Sequence, residues 1–133
     1  MNAERAIYLD SSAILKLAVA EKESPALRRY LRRRAPVVVS ALARTEVARA
    51  LLPLGPAAVQ RGHEVLSRIE LIRVSDRIFL DAGTLLPAQL RSLDAIHIAT
   101  MRQLGGSLRR VVTYDSRMAA AASAMGMTTV APA

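Results

Sequence analysis

The chain of 133 residues contains no cysteine, which excludes both disulfides and thiolate metal ligands. Aromatic residues are only 3% against 52% hydrophobic overall, so the core has to be built from Ala, Val, Leu and Ile. Lysine occurs only at Lys16 and Lys22, and arginine carries nearly all of the net charge of +8. Guanidinium forks suit phosphate and carboxylate partners, which admits RNA, DNA or an acidic peptide. A GC-rich genome would enrich Arg and Ala in the same way. The longest charge-free stretch, residues 118–133, is too short and too weakly apolar to span a bilayer. The first residues do not read as a signal peptide, because Asp10 interrupts the apolar segment behind them. A soluble cytoplasmic protein without a membrane partner is expected.

Apolar runs of strand length alternate with helical patterns. Strands are predicted over 6–9, 37–40, 71–74 and 110–114, with an edge strand over 128–130. Helices are predicted over 11–20, from 24 with Ser24 as N-cap and Pro25 at the first position, and over 42–52, 57–69, 76–86, 92–104 and 115–125. Asp76 reads as a plain helix cap, and the 92–104 helix, apolar nearly all round, as a buried one. Repeats, low-complexity tails and linkers are absent. The fold class is therefore α/β, a single domain over 1–133: an α/β/α sandwich with a mostly parallel sheet of four to five strands. In such sheets ligands bind outside the carboxyl ends of the strands, where the strand order reverses.

Four acids fall on that edge. Asp10 and Asp115 close apolar runs, Asp94 opens a helix, and Glu46 lies in the first turns of another. Each also has a plain structural reading: helix caps for Asp10 and Asp115, a first-turn acid after a Ser92 cap for Asp94, and an exposed pair with Arg49 for Glu46. The apolar settings of Asp10 and Asp94 tip the balance, because a carboxylate there is costly to bury without a cation or strong hydrogen bonds. A divalent-metal site is the leading expectation. His97, one turn after Asp94, reads as a structural hydrogen-bonding residue, and His63 as exposed. The densest charge is Arg28, Arg29, Arg32, Arg33 and Arg34. Arg28, Arg32 and Arg33 are candidates for binding RNA or an acidic partner, with a solvated helix face as the plain alternative.

The segments Tyr8-Leu9-Asp10-Ser11-Ser12-Ala13, Thr45-Glu46-Val47-Ala48-Arg49-Ala50 and Leu93-Asp94-Ala95-Ile96-His97-Ile98-Ala99-Thr100, with the pair Thr113 and Asp115, resemble the PIN-domain ribonucleases. The likeness is greatest to the VapC-like toxins of bacterial toxin–antitoxin modules, and it spans essentially the whole chain. Tyr114 stands where that family often has Phe. The resemblance implies an endoribonuclease dependent on Mg²⁺ or Mn²⁺, hard cations that suit carboxylate oxygens. Asp10, Asp94 and Asp115 would be the metal ligands. Glu46 would be the fourth catalytic acid, and Ser12 and Thr113 would position waters or phosphate oxygens. Products would carry a 5′-phosphate and a 3′-hydroxyl. Partners would be the RNA substrate, a second copy in a homodimer, and a cognate antitoxin lying between the first two helices. Those helices carry Ile14, Leu15, Leu17, Ala18 and Val19, and Ala26, Leu27, Tyr30 and Leu31, an apolar excess over one narrow buried stripe. A structure-specific DNA nuclease of the same superfamily and a catalytically inactive RNA- or protein-binding module stand as alternatives. A receiver domain would need a late lysine, and a haloacid-dehalogenase-type phosphatase an acid where Ser12 stands.

Overall fold

The computed structural model describes residues 5–32 and 35–133. Five strands form one parallel sheet: β1 (Ala6–Leu9), β2 (Val37–Ser40), β3 (Glu70–Ile72), β4 (Leu108–Val112) and β5 (Thr129–Val130), in the spatial order β3-β2-β1-β4-β5. β1 is buried along its whole length between β2 and β4, as expected of a continuous apolar run in a sheet covered on both faces. From β1 the chain builds outward through β2 to β3, then returns to place β4 and β5 on the other side. The order reverses between β1 and β4, and the crevice at their carboxyl ends is the expected ligand position.

Helices α1 (Ser11–Ala18), α2 (Ser24–Leu31), α3 (Ala43–Leu51) and α4 (Pro56–Leu66) pack on one another. So do α5 (Asp76–Gly83), α6 (Ser92–Leu104) and α7 (Ser116–Ala124), with α6 touching each of the other two. Right-handed crossovers put these two groups on opposite faces of the sheet. The core is aliphatic as composition requires: Ile7, Leu9, Ile14, Leu27, Val39, Leu51, Ile98 and Val112 are fully enclosed, with Tyr8 the one large aromatic among them. α3 and α4 approach so closely that a Cβ on Gly62 would lie 2.7 Å from Leu51 Cδ1 and 3.0 Å from Val47 Cγ1.

Several boundaries differ from the sequence reading, each for a local reason. Ser24 is the first helical residue rather than the cap, and its hydroxyl turns back to donate to the Lys16 carbonyl and accept from the Glu21 amide. Ser75, not Asp76, caps α5, accepting the Ile78 amide. Gly105–Ser107 takes only a short 3-10 turn, so β4 starts at Leu108, two residues earlier than predicted. α6 is largely but not wholly buried, since Leu93, Arg102 and Gln103 face solvent.

The apolar excess expected on the first two helices is not there. Ile14, Ala18 and Leu27 are buried, and Leu15, Leu17, Tyr30 and Leu31 pack against the core, because α1 is flanked by α2, α3 and α4 together. Among the described residues, the large apolar side chains left exposed are Leu52 and Leu54 before α4, Phe79 and Leu80 on α5, Leu86, and Leu93. Among the described residues no helix is long and apolar enough to cross a membrane.

Candidate active site

Asp10 follows β1 directly and is 3% exposed. Its Oδ1 accepts the Ser12 hydroxyl at 2.6 Å and the Ala13 amide at 3.1 Å, which makes it the N-cap of α1. Its Oδ2 accepts the Thr113 hydroxyl at 2.5 Å. Burial pushes this carboxyl above its ordinary range, and these hydrogen bonds pull against that shift. Thr113 is the first residue after β4, and its Oγ1 also accepts the Asp115 amide at 3.1 Å. Ser12 Oγ in turn accepts the Tyr114 amide at 2.9 Å. The two expected positioning residues therefore stitch the end of β1 to the end of β4. Lys16 lies 4.9 Å from the Tyr114 ring centroid, and the Tyr114 hydroxyl donates to the Pro132 carbonyl, fixing the same turn from outside.

Asp115 caps α7 through Oδ1, which accepts the Arg117 and Met118 amides. The capping reading of Asp10 and Asp115 thus holds, and it leaves both carboxylates at the crevice. Asp94 sits in the first turn of α6, whose N-cap is Arg91 rather than Ser92. Among the described residues its carboxylate makes no hydrogen bond or ion pair. Burial raises its pKa first, then the charge of Asp115. His97 and Arg91 oppose the rise, and Glu46 adds to it. Glu46 does not pair with Arg49. Its Oε1 accepts the Ser11 hydroxyl at 2.7 Å and lies 2.6 Å from His97 Nε2. Burial works against the Glu46 charge, but His97 and then Ser11 outweigh it and hold the carboxyl below its usual range.

These acids lie around one crevice, near enough for Asp94 to feel Asp115 and Glu46, without closing on a single point. Among the described residues no three His, Asp or Glu side chains stand ready-made around a metal position. The donor set nevertheless fits a hard cation: every available ligand is a carboxylate oxygen, and Asp94 carries a charge that burial and Asp115 destabilise. A cleft of about 410 Å³ beside Asp94 is lined by Leu90, Arg91, Arg117 and Ala121, among others. A cavity of similar size, about 440 Å³, lies between α5 and the start of α6 and carries no titratable side chain, so it is no candidate for the chemistry.

Arg28 and Arg32 are exposed on the last turns of α2, and among the described residues neither forms an ion pair. Arg33 lies outside the described residues. The start of β2, close to the end of α2 in sequence, is at the sheet edge opposite the acids, so Arg28 and Arg32 are not part of the crevice. Sequence reasoning missed Ser11, Tyr8, Arg91 and Arg117. Only Arg91 and Arg117 carried a signal, standing three and two residues from Asp94 and Asp115.

Comparison with known proteins agrees with this arrangement. Residues 7–124 match the PIN domain family. The chain is 58% identical over 127 residues to the ribonuclease VapC46 of Mycobacterium tuberculosis, covering 96% of this chain and 98% of that one. It is 38% identical over 130 residues to the ribonuclease VapC35 of the same organism, covering 95% and 96%. Its fold is that of M. tuberculosis VapC20, a toxin that cleaves the sarcin–ricin loop. The TM-score is 0.74 at 23% identity, over 95% of this chain and 99% of that one. A toxin–antitoxin complex from Klebsiella pneumoniae contains the same fold, with a TM-score of 0.71 at 21% identity over 96% and 98%. The chain belongs to the PIN-domain family and, within it, to the VapC ribonucleases, the endoribonuclease toxins of toxin–antitoxin systems.

Proposed function

We propose that this protein cleaves RNA with Asp10, Glu46, Asp94 and Asp115 as its catalytic acids and Mg²⁺, or Mn²⁺ in its place, as the cofactor. The observation that carries the reading is Asp94, a partly buried carboxylate with no hydrogen bond among the described residues, raised by burial and by the Asp115 charge. Asp10, Asp94 and Asp115 would hold the ion, which when bound offsets their repulsion toward a phosphodiester, activates water and stabilises the leaving oxygen. Ser12, Ala13 and Thr113 favour the charged form of Asp10 against its burial and aim it across the β1–β4 gap. Glu46, its charge favoured by His97 and Ser11, is suited to orient the attacking water by accepting a hydrogen bond from it. Arg91 and Arg117, on either side of the cleft beside Asp94, suit the phosphates that flank the cut. Products would carry a 5′-phosphate and a 3′-hydroxyl.

The same reading takes a cognate antitoxin as the inhibitor, a homodimer as the assembly and the cytoplasm as the place of action. Exposed Phe79, Leu80 and Leu86 offer a larger uncovered apolar surface for partners than α1 and α2 do. The test is cleavage of matched single-stranded RNA and DNA with Mg²⁺, Mn²⁺ or chelator, by the wild type and by Asp94→Asn. RNA cleavage that needs the cation and disappears in a folded Asp94→Asn supports the reading. Preferential DNA cleavage, or RNA cleavage by the variant, overturns it.

A further inference from the structure

Two buried polar side chains have no task in the reaction described above. Tyr8 is fully buried on β1, and His97 on α6 is 2% exposed. Their rings meet edge to face, with centroids 5.9 Å apart and planes at 85°. The Tyr8 oxygen accepts the Ser40 backbone amide at 3.1 Å and lies 2.6 Å from His97 Nδ1. Across the imidazole, Nε2 lies 2.6 Å from Glu46 Oε1. One chain of hydrogen bonds thus runs from the backbone of β2, through β1 and α6, to an acid on α3 at the crevice.

The direction of the chain follows from which groups can donate. A nitrogen facing an ionised carboxylate must carry a hydrogen, so His97 donates from Nε2. The Ser40 amide can only donate, and it occupies the Tyr8 oxygen. In the neutral imidazole the Tyr8 hydroxyl then donates to the lone pair on Nδ1. Burial holds the Tyr8 hydroxyl far above its ordinary range, so it stays a donor. Both bonds to Glu46, from Ser11 and from His97, land on Oε1, and among the described residues Oε2 accepts none.

A glutamate in the first turn of a helix ordinarily samples several rotamers, and ordering it at the moment of reaction costs free energy. Here both anchors hold the same oxygen, and among the described residues the other carries no hydrogen bond. A pair that served only to satisfy the core could have been replaced by two apolar side chains at little cost. This one instead ends on a partly buried acid.

We propose that Tyr8 and His97 are positioning residues for Glu46, forming a strut from the sheet that holds Oε1 and presents Oε2 to the reaction. The proposal rests on the reading of Glu46 as a catalytic acid, and its test separates the two. The first arm uses metal-free protein labelled with ¹⁵N-histidine in mildly alkaline buffer. His97 should show hydrogen on Nε2 and an acceptor at Nδ1, with Tyr8→Phe perturbing the Nδ1 signal and Glu46→Gln the Nε2 signal. Hydrogen on Nδ1, or indifference to both substitutions, refutes the strut whether or not RNA is cut.

The second arm is kinetic. His97→Leu should lower kcat about 30-fold with KM for RNA nearly unchanged, the loss of one hydrogen bond to a charged group. His97→Gln, whose amide can donate to Glu46, should restore most of it. In a Glu46→Gln background, His97→Leu should cost nothing further. Equal losses for Leu and Gln, or additive losses in the double variant, would make His97 a packing residue only. Should His97→Leu fail to fold, Tyr8→Phe, which removes just the hydroxyl, carries the same comparison with a decrease of about 5-fold expected. A wild type that cuts no RNA refutes the ribonuclease reading, and the imidazole spectrum still decides the strut.

Discussion

Replacing Thr113 with Val alters the crevice wall by one hydroxyl and hardly changes its volume. In the wild type that hydroxyl, 2% exposed with its residue, donates to Asp10 Oδ2 and accepts the Asp115 amide. A hydrogen bond to a charged group is worth about 1.5–3 kcal/mol, and a neutral one about 1 kcal/mol. The Asp115 amide sits at a partly exposed helix start where water can replace its partner, so about 0.5 kcal/mol is assigned to that bond. The expected loss is about 2–3.5 kcal/mol near neutral pH. It should depend on pH. Asp10 already has a raised carboxyl in the folded protein, and Thr113 is one of the groups pulling it down. Without that bond the folded value rises further above the unfolded one. The folded state then binds the extra proton, and stability falls as pH rises from the unfolded carboxyl value, about 4, through the folded value. The gap between variant and wild type should therefore be widest at neutral pH and narrow on acidification. Urea unfolding across a pH series, with a common m-value, measures it. In an Asp10→Asn background the same change should cost about 1.5 kcal/mol, because no buried charge is left unpaired. A loss below about 0.5 kcal/mol at neutral pH, or an equal loss in both backgrounds, would mean that Thr113 does not hold Asp10.

Asp94→Asn should lose metal-dependent cleavage while keeping wild-type circular dichroism and an equal or higher Tm. It removes a carboxylate that burial and Asp115 both destabilise, and the gain should vanish toward acid, where the wild-type group is itself protonated. Arg28→Gln, Arg32→Gln and Arg33→Gln combined should flatten the dependence of RNA affinity on salt if that face tracks phosphates, and an unchanged slope of log K against log salt would rule this out. Gly62→Ala gains about 1 kcal/mol of helix propensity but sets a methyl 2.7 Å from the buried Leu51, and we expect a net loss of about 1 kcal/mol by thermal unfolding. A stabilised variant would show that the Leu51 side chain can turn aside at little cost.

What the sequence made legible is what local pattern controls. The apolar runs at 6–9 and 37–40 became strands at those limits, and the 92–104 helix kept both ends. The four acids could be placed on one edge because each lies within a few residues of a strand end or a helix start. What escaped depends on register across the fold. Tyr8 and His97 are 89 residues apart, and Ser11 and Glu46 are 35 apart, so no local pattern could pair them. The reading of His97 as a hydrogen-bonding residue was correct in kind, but its partner on α3 was invisible. The apolar excess assigned to α1 and α2 failed because periodicity assumes one buried stripe, whereas α1 packs against three other helices as well as the sheet. Asp76 was misread because Ser75 and Asp76 are both good caps, and only the backbone turn decides between them.

The double role of Asp10 and Asp115, acids of the crevice and also caps of α1 and α7, bears on how such a protein is disarmed by mutation. Alanine at either position removes the cap along with the charge and destabilises a helix start by about 1 kcal/mol. Asparagine caps a helix as well as aspartate does, and a single base change converts one codon into the other. If these acids are catalytic as proposed, the shortest genetic route away from activity leaves the fold standing. Under the proposed reading, an Asp10→Asn protein in the same cell would still bind antitoxin, titrating it away from any active copy and behaving as an aggravating rather than a silent allele.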